Sequence, residues 1–435
     1  MAVAAADTHR AIDAVWRIES PRLIAGLARI VGDIGLAEDL AQDALVAALE
    51  QWPQSGVPNN PGAWLMAAAK HKAIDTLRHR AMVRRKHDAL GHAFEERQET
   101  AGQDLEAALD DDVGDDLLRL IFTACHPVLA AEARVALTLR LLGGLSTDEI
   151  ARAFLVSEPT IAQRIVRAKR TLAKARVPFE VPRGADRQRR LASVLEVIYL
   201  VFNEGYTATA GDDWMRPALC DDALRLGRIL AELLTGEAEV HGLVALMEIQ
   251  ASRMRARVGE SGEPIRLFEQ NRDGWDQLLI RRGLAALERA AAIGGAPGPY
   301  VLQASIAACH ARARVPQETD WARIARLYGE LAALTPSPIV ELNRAVAVAR
   351  ADGARAGLAL VDVLVSEPSL QGYHLLPAVR GDLLAGLGRF DEARRETERA
   401  AALTRNARER DLLLAQAAAY ARQTASNEPG AEPSG

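Results

Sequence analysis

At 435 residues, with 49% hydrophobic but only 4% aromatic side chains, the chain has room for two to four domains whose cores are built from Ala, Leu and Val. Its 53 bases and 58 acids leave a formal net charge of -5, which excludes a chain attracted to nucleic acid over its whole surface. No run of about eighteen apolar residues is present to span a bilayer, and the start MAVAAADTHRAID lacks the charged-then-apolar order of an export signal, so the expected location is the cytoplasm. Cys125, Cys220 and Cys309 are odd in number and far apart, which argues against a disulfide framework or a thiolate metal site. They are expected to be buried as small hydrophobes, and no metal or other cofactor is expected.

Apolar residues recur at helical spacing from Ala11 to about Arg422, predicting an all-α protein. Residues 8–86 form a first helical block. In GLAEDLAQDALVAALEQW, the polar residues Glu38, Asp39, Gln42 and Asp43 stand beside an apolar stripe of Leu40, Ala44, Ala47 and Ala48. Acids in a first turn are ordinary dipole compensation; as a surface, they suit a positively charged partner. The block ends in PGAWLMAAAKHKAIDTLRHRAMVRRK, where Lys70, His71, Lys72, Arg78, Arg80, Arg84, Arg85 and Lys86 follow Trp64 and only Asp75 opposes them. Bases beside an aromatic suit a separated DNA strand, because phosphates need charge and an unstacked base needs a flat partner. Trp64 taken alone reads as core rather than as a stacking platform, since Trp is highly buried on average.

Residues 87–116 carry eleven acids against Arg97 and read as a linker. A second helical block, 117–176, contains LSTDEIARAFLVSEPTIAQRIVRAKRTL. Ser146 and Glu149 have capping-box spacing and start a short helix. Ser157 is placed to cap a second helix, whose first turn tolerates Pro159. On that helix Ile161, Ile165, Ala168 and Leu172 make one apolar stripe, leaving Thr160, Gln163, Arg164, Arg167, Arg170 and Lys174 pointing elsewhere. This is a helix-turn-helix pattern, whose second helix lies in the major groove. A solvated basic face is the plainer alternative.

Pro178, Pro182 and Gly184 mark a hinge. Residues 186–423 form a large α-helical extension, and the tail 424–435 reads as disordered. In GDLLAGLGRFDEARRETERAAAL, the order Gly381, Gly388, Phe390, Ala393, Ala400 fits a 34-residue tetratricopeptide-like repeat, with Ala347 and Ala359 one period earlier. An irregular helical bundle accounts for the same composition.

The order AEDLAQDALVAAL, AWLMAAAKHKAIDTLRHR, acidic linker, LSTDEIARAFLVSEPTIAQRIVRAKRTL resembles bacterial RNA polymerase sigma factors of the extracytoplasmic function (sigma-70) group. The tail resembles sigma factors with a tetratricopeptide-like C-terminal extension. The resemblance implies core RNA polymerase and promoter DNA as partners and no enzymatic activity. It places core binding at Glu38, Asp39, Gln42 and Asp43. It places -10 melting and recognition at Trp64, Lys70, His71, Asp75, Arg78, Arg80, Arg84 and Arg85, with His71 where many relatives have asparagine. The -35 contacts fall at Ser157, Thr160, Gln163, Arg164, Arg167, Lys169 and Arg170. It gives the linker a place in the polymerase's RNA exit path, although a plain acidic tether has the same composition.

In the extension the resemblance singles out Asn203, Glu204, Gly205, Tyr206, Asp222, Arg225, Glu248, Arg253, Asp273 and Trp275, which either line a groove or bridge helices. Asn271 stands where an aspartate is expected. The extension is expected to control activity, alone or through a protein or peptide partner. The alternative is a helix-turn-helix regulator fused to a helical ligand or interaction module.

Overall fold

The computed structural model describes residues 2–87, 113–207, 215–259 and 264–427. Most of the acidic linker and the end of the tail lie outside them. The described residues form eighteen α-helices and no strand, with one isolated bridge between Val258 and Pro264. They divide into two compact units, residues 1–200 and 201–435.

In the first unit, α1 (Ala2–Val31), α2 (Ile34–Ser55) and α3 (Pro61–His87) pack on one another. The starts of α2 and α3 are set locally. The Asp33 carboxylate accepts from Leu36 N at 3.0 Å, and the Asn60 side chain accepts from Ala63 N at 3.1 Å, just ahead of Pro61. Ala41, Ala44 and Ala48 are fully buried along one face of α2, and the absence of bulk there lets its neighbours approach closely. Leu23, Leu27, Leu40, Trp52 and Leu65 fill the remaining space.

Four shorter helices follow: α4 (Val113–Ala124), α5 (Ala131–Leu141), α6 (Thr147–Ala153) and α7 (Glu158–Lys174). The long α8 (Gly184–Tyr206) begins in this unit. Its first half is fixed to α4 by Arg190, which donates to the Phe122 carbonyl at 3.1 Å, and by Ser193 Oγ, which donates to the Cys125 carbonyl at 2.6 Å.

The second unit opens with α9 (Pro217–Leu233), α10 (Ala238–Ala251), α11 (Gln277–Ile293) and α12 (Pro299–Arg312). Helix α10 is buried continuously from Val240 to Ile249, because α9, α11 and α12 all pack against it. Its Glu239 caps α12, accepting from Tyr300 N at 2.9 Å and Val301 N at 3.1 Å, in a space that a side chain at Gly298 would fill. The chain continues through α13 (Trp321–Leu334), α14 (Pro338–Asp352), α15 (Ala354–Leu364), α16 (Leu375–Gly386), α17 (Phe390–Leu403) and α18 (Ala407–Asn427), each helix packed on the next.

The close approach expected at Gly381 is present: a Cβ there would stand 2.7 Å from Thr397 Oγ1. The period before it fits less well. Ala347 is buried but Ala359 is exposed, and the close approach between α14 and α15 falls instead at Gly357, against the Ala345 carbonyl at 2.7 Å. The contact glycine thus sits on the second helix of one pair and on the first helix of the next.

A segment without α-helix, residues 264–276, which holds one short 3-10 turn at Arg272–Gly274, ties the early helices of this unit to the late ones. Arg266 donates to Gln416 and lies 3.8 Å from Asp382. Phe268 lies between Trp321, 5.7 Å between ring centroids, and the Arg350 guanidinium, 4.0 Å from its ring. Arg272 is buried and donates to the carbonyls of His310 and Ala313 at 2.9 and 2.7 Å and to Thr319 Oγ1 at 3.1 Å.

Two outcomes are expected. Gly381→Val overpacks the α16–α17 contact and lowers unfolding stability by about 1–3 kcal/mol in urea melts. Burial, with the cations of Arg253 and Arg272 adding to it, pushes the His310 imidazole down to about 3. The unfolded chain therefore binds a proton near pH 6.5 that the folded chain refuses until about pH 3. Stability falls as pH drops through that window, by up to about 1.4 kcal/mol per pH unit. Melts of His310→Asn across the same range show a flatter dependence.

Candidate nucleic-acid interface

The site is built outward from α6 and α7. Ser146 Oγ accepts from Glu149 N at 3.1 Å and the Glu149 carboxylate accepts from Ser146 N at 2.8 Å, so the expected capping box forms. Hydrogen bonds to Ser146 and the nearby Arg17 outweigh partial burial and hold the Glu149 carboxyl below its usual range. Helix α6 is cut short at Phe154, where Leu155 takes a left-handed φ of 51°.

Ser157 has N-cap backbone geometry, but its hydroxyl does not cap. It pairs at 2.8 Å with the Thr160 hydroxyl, so α7 starts on its proline and glutamate rather than on a serine cap. Ile161, Ile165, Ala168 and Leu172 are the four buried residues of α7, as the periodicity requires.

That stripe fixes where the remaining side chains point. Ser157, Gln163, Arg167 and Arg170 are exposed, and Thr160 and Arg164 half-buried. Among the described residues no ion pair holds Arg164, Arg167 or Arg170. Lys169 is different. Its ammonium is paired with Glu38 on α2, and its side chain is only 20% exposed.

On α3, Trp64 is half-buried, edge-on to Trp52 at 5.3 Å between ring centroids, so it belongs partly to the core. His71 is exposed, and its Nδ1 donates to the Ala67 carbonyl at 2.8 Å. Lys70 is half-buried, whereas Asp75 and Arg78 are exposed. Arg80, Arg84 and Arg85 lie on α3, with their side chains outside the described residues.

The α2 group divides. Asp39 and Asp43 are exposed, and Asp43 lies 3.3 Å from Lys72. Glu38 is buried at 3% exposure. It accepts from Arg140 Nε at 2.6 Å and from Gln42 Nε2 at 2.7 Å. Arg140 carries no local signal in the sequence, lying 102 positions from its partner.

In the second unit the residues singled out from the sequence mostly bridge helices. Glu204 pairs with Arg216 and Glu248 with Arg228 at 2.9 Å, while Arg253 donates to the Tyr206 hydroxyl at 2.6 Å; Asp222 pairs with Arg225 at 3.4 Å within α9 itself. Gly205 makes room for the Cys220 backbone, 2.7 Å from where its Cβ would be. Trp275 is buried between the guanidinium groups of Arg253 and Arg272, and the Asn271 side chain accepts from Asp273 N at 3.0 Å. Cys125, Cys220 and Cys309 are all buried; burial pushes the Cys125 thiol up to about 11 and that of Cys220 to about 12.

Residues 16–82 match the family of sigma-70 region 2, and residues 119–172 match sigma-70 region 4. The chain carries sigma-70 regions 2 and 4, in that order, ahead of its helical extension. Region 2 covers most of α1 to α3, and region 4 covers α4 to α7 with its helix-turn-helix. Residues 190–291 match DUF6596, a family of unknown function, which spans α8 to α11.

An uncharacterized protein of Rhizobium meliloti (strain 1021) is 43% identical over 390 residues, 89% of this chain and 91% of its own length. A probable ECF RNA polymerase sigma factor, SigI of Mycobacterium tuberculosis (strain H37Rv), is 26% identical over 175 residues, 40% of this chain and 58% of its own. Sigma-70 regions imply interaction with core RNA polymerase and promoter DNA, and members of the family are transcription initiation factors rather than enzymes. Among the described residues no helix is long and apolar enough to cross a membrane.

Ser146→Ala removes one half of the capping box and leaves the Glu149 carboxylate with less to hold it. A loss of about 0.5–2 kcal/mol in urea unfolding is expected, with helix content unchanged by circular dichroism.

Proposed function

We propose that the chain is a sigma factor of the extracytoplasmic function group that joins core RNA polymerase and directs promoter-specific initiation. In this reading α7 reads the -35 element, α3 melts and reads the -10 element, and the helical extension after α8 controls activity. The observation that carries it is the helix-turn-helix of α6 and α7, whose buried stripe turns Gln163, Arg167 and Arg170 outward, coming after the basic α3 in one chain. Arg and Gln present the paired donors and acceptors that base edges in the major groove match, and the other bases neutralise phosphates.

Core binding is assigned to the exposed Asp39 and Asp43 with Gln42, and strand contacts to Trp64, Lys70, His71, Asp75, Arg78, Arg80, Arg84 and Arg85. The domain bounds that go with this reading are 8–86, 87–116, 117–176 and 186–423. The extension, 186–423, is read as tetratricopeptide-like, a reading supported by the sequential packing of its later helices and by the small residue at Gly381.

The test is run-off transcription with core polymerase on a promoter library. The full chain yields transcripts from a subset of templates. Arg167→Ala lowers them about tenfold or more and relaxes one -35 position, the size expected for losing a paired base contact. Absence of transcripts from every template overturns the reading. Arg266→Ala loosens the extension while leaving residues 2–200 unaltered, and a severalfold change in yield is expected if the extension controls activity. Equal yields count against that control.

A further inference from the structure

The second unit holds a concentration of positive charge that its own carboxylates do not neutralise. Arg253, on the turn after α10, and Arg272, in the 264–276 segment, flank the Trp275 ring with guanidinium carbons 5.6 and 5.1 Å from its centre. Arg272 is only 8% exposed and Trp275 only 3%. Among the described residues no ion pair holds either arginine. Burial and the charge of Arg253 hold the Arg272 guanidinium below its usual range; Glu318, which pulls the other way, is exposed and accepts from Arg314 N at 3.1 Å. A buried cation without countercharge is costly.

The same side chains have donors to spare. Arg272 spends its two Nη atoms on the carbonyls of His310 and Ala313 and on the Thr319 hydroxyl, and Arg253 gives one N–H to the Tyr206 hydroxyl. Arg253 Nε, Arg272 Nε and Trp275 Nε1 are buried with no hydrogen-bond partner among the described residues, and His310 Nδ1 is a fourth such nitrogen. Native folds rarely leave several buried donors unmet in one place. Guanidinium and indole nitrogens can only donate, so what satisfies them must accept. A cation is repelled here, and a neutral amide leaves the charge unmet. Three donors on separate side chains, two of them cationic, match the several acceptor oxygens and double charge of a phosphate group.

We propose that Arg253, Arg272 and Trp275 form a phosphate-binding site in the extension, for phosphate free or carried on a small molecule. The proposal stands apart from the sigma-factor reading above. Through Tyr206, the residues that hold the site come from the end of α8, the turn after α10, the 264–276 segment and α12. A bound anion therefore braces the junction through which that segment ties early helices to late ones. Beside Trp275, a Cβ at Gly274 would meet nothing closer than Ala256 Cβ at 3.9 Å, so the backbone there is not crowded.

The experiment titrates the full-length chain with inorganic phosphate, glycerol 3-phosphate and acetate in a calorimeter at fixed ionic strength. Saturable binding of at least one phosphate is expected, and the tighter of the two tells free from esterified phosphate. Arg253→Gln weakens it about tenfold or more, the size of a lost charge-assisted hydrogen bond. Trp275→Phe, which keeps the ring and loses the N–H, weakens it severalfold. Arg255→Gln removes the same charge at an exposed position two residues away and leaves binding unchanged. Circular dichroism confirms that each variant is folded. The site is overturned if neither phosphate binds, if acetate binds as tightly, or if folded Arg253→Gln binds as well as Arg255→Gln.

Discussion

One buried carboxylate organises the first unit. An ionised carboxyl group removed from water costs several kcal/mol unless countercharge and hydrogen bonds replace its hydration. Glu38 at 3% exposure receives both, from Arg140, Lys169 and Gln42. Because successive residues on a helix are turned by about 100°, directing Lys169 toward α2 sends Arg167 and Arg170 to other sides of α7. The rotation of α7 about its own axis is therefore set twice, by its apolar stripe and by this charge pair, and the two agree.

What the sequence made legible was local. The Ser146–Glu149 capping box and the stripe of Ile161, Ile165, Ala168 and Leu172 involve residues three or four positions apart, so they are written in a single helix and need no knowledge of its neighbours. Gly381 was legible because a missing Cβ in an otherwise good helix requires a reason. Glu38 was not. Its spacing beside Asp39 reads as an exposed acidic turn, and only the fold brings Arg140 and Lys169 to it from more than a hundred positions away. Lys169, which only the resemblance placed among the -35 contacts, pairs with Glu38 for the same reason. Ala359 shows the limit of period counting, since a fixed offset of 34 residues cannot register that the contact glycine changes from one helix of a pair to the other.

The arginines of the second unit take a structural part that composition obscures. With few aromatic side chains in the chain, planar guanidinium groups fill the gaps between those present: Arg253 and Arg272 flank Trp275, Arg257 lies 3.6 Å from the centre of the Tyr206 ring, and Arg350 covers Phe268. In the structure Arg272 donates to backbone carbonyls and the Thr319 hydroxyl, and burial, with the cations of Arg253 and Arg272 adding to it, suppresses protonation of the neighbouring His310.

Helices packed only on their neighbours behave as a one-dimensional chain, in which each end can fray without the other responding. The 264–276 segment changes that dimensionality. Arg266 reaches Gln416, 150 positions further along, and so joins the beginning of the array to its last helix. A row of helices closed in this way by a strut is expected to melt more nearly as a single body than helix by helix. Any molecule that loosens the final helix will be felt at residue 266 without a signal having to pass through every helix between them.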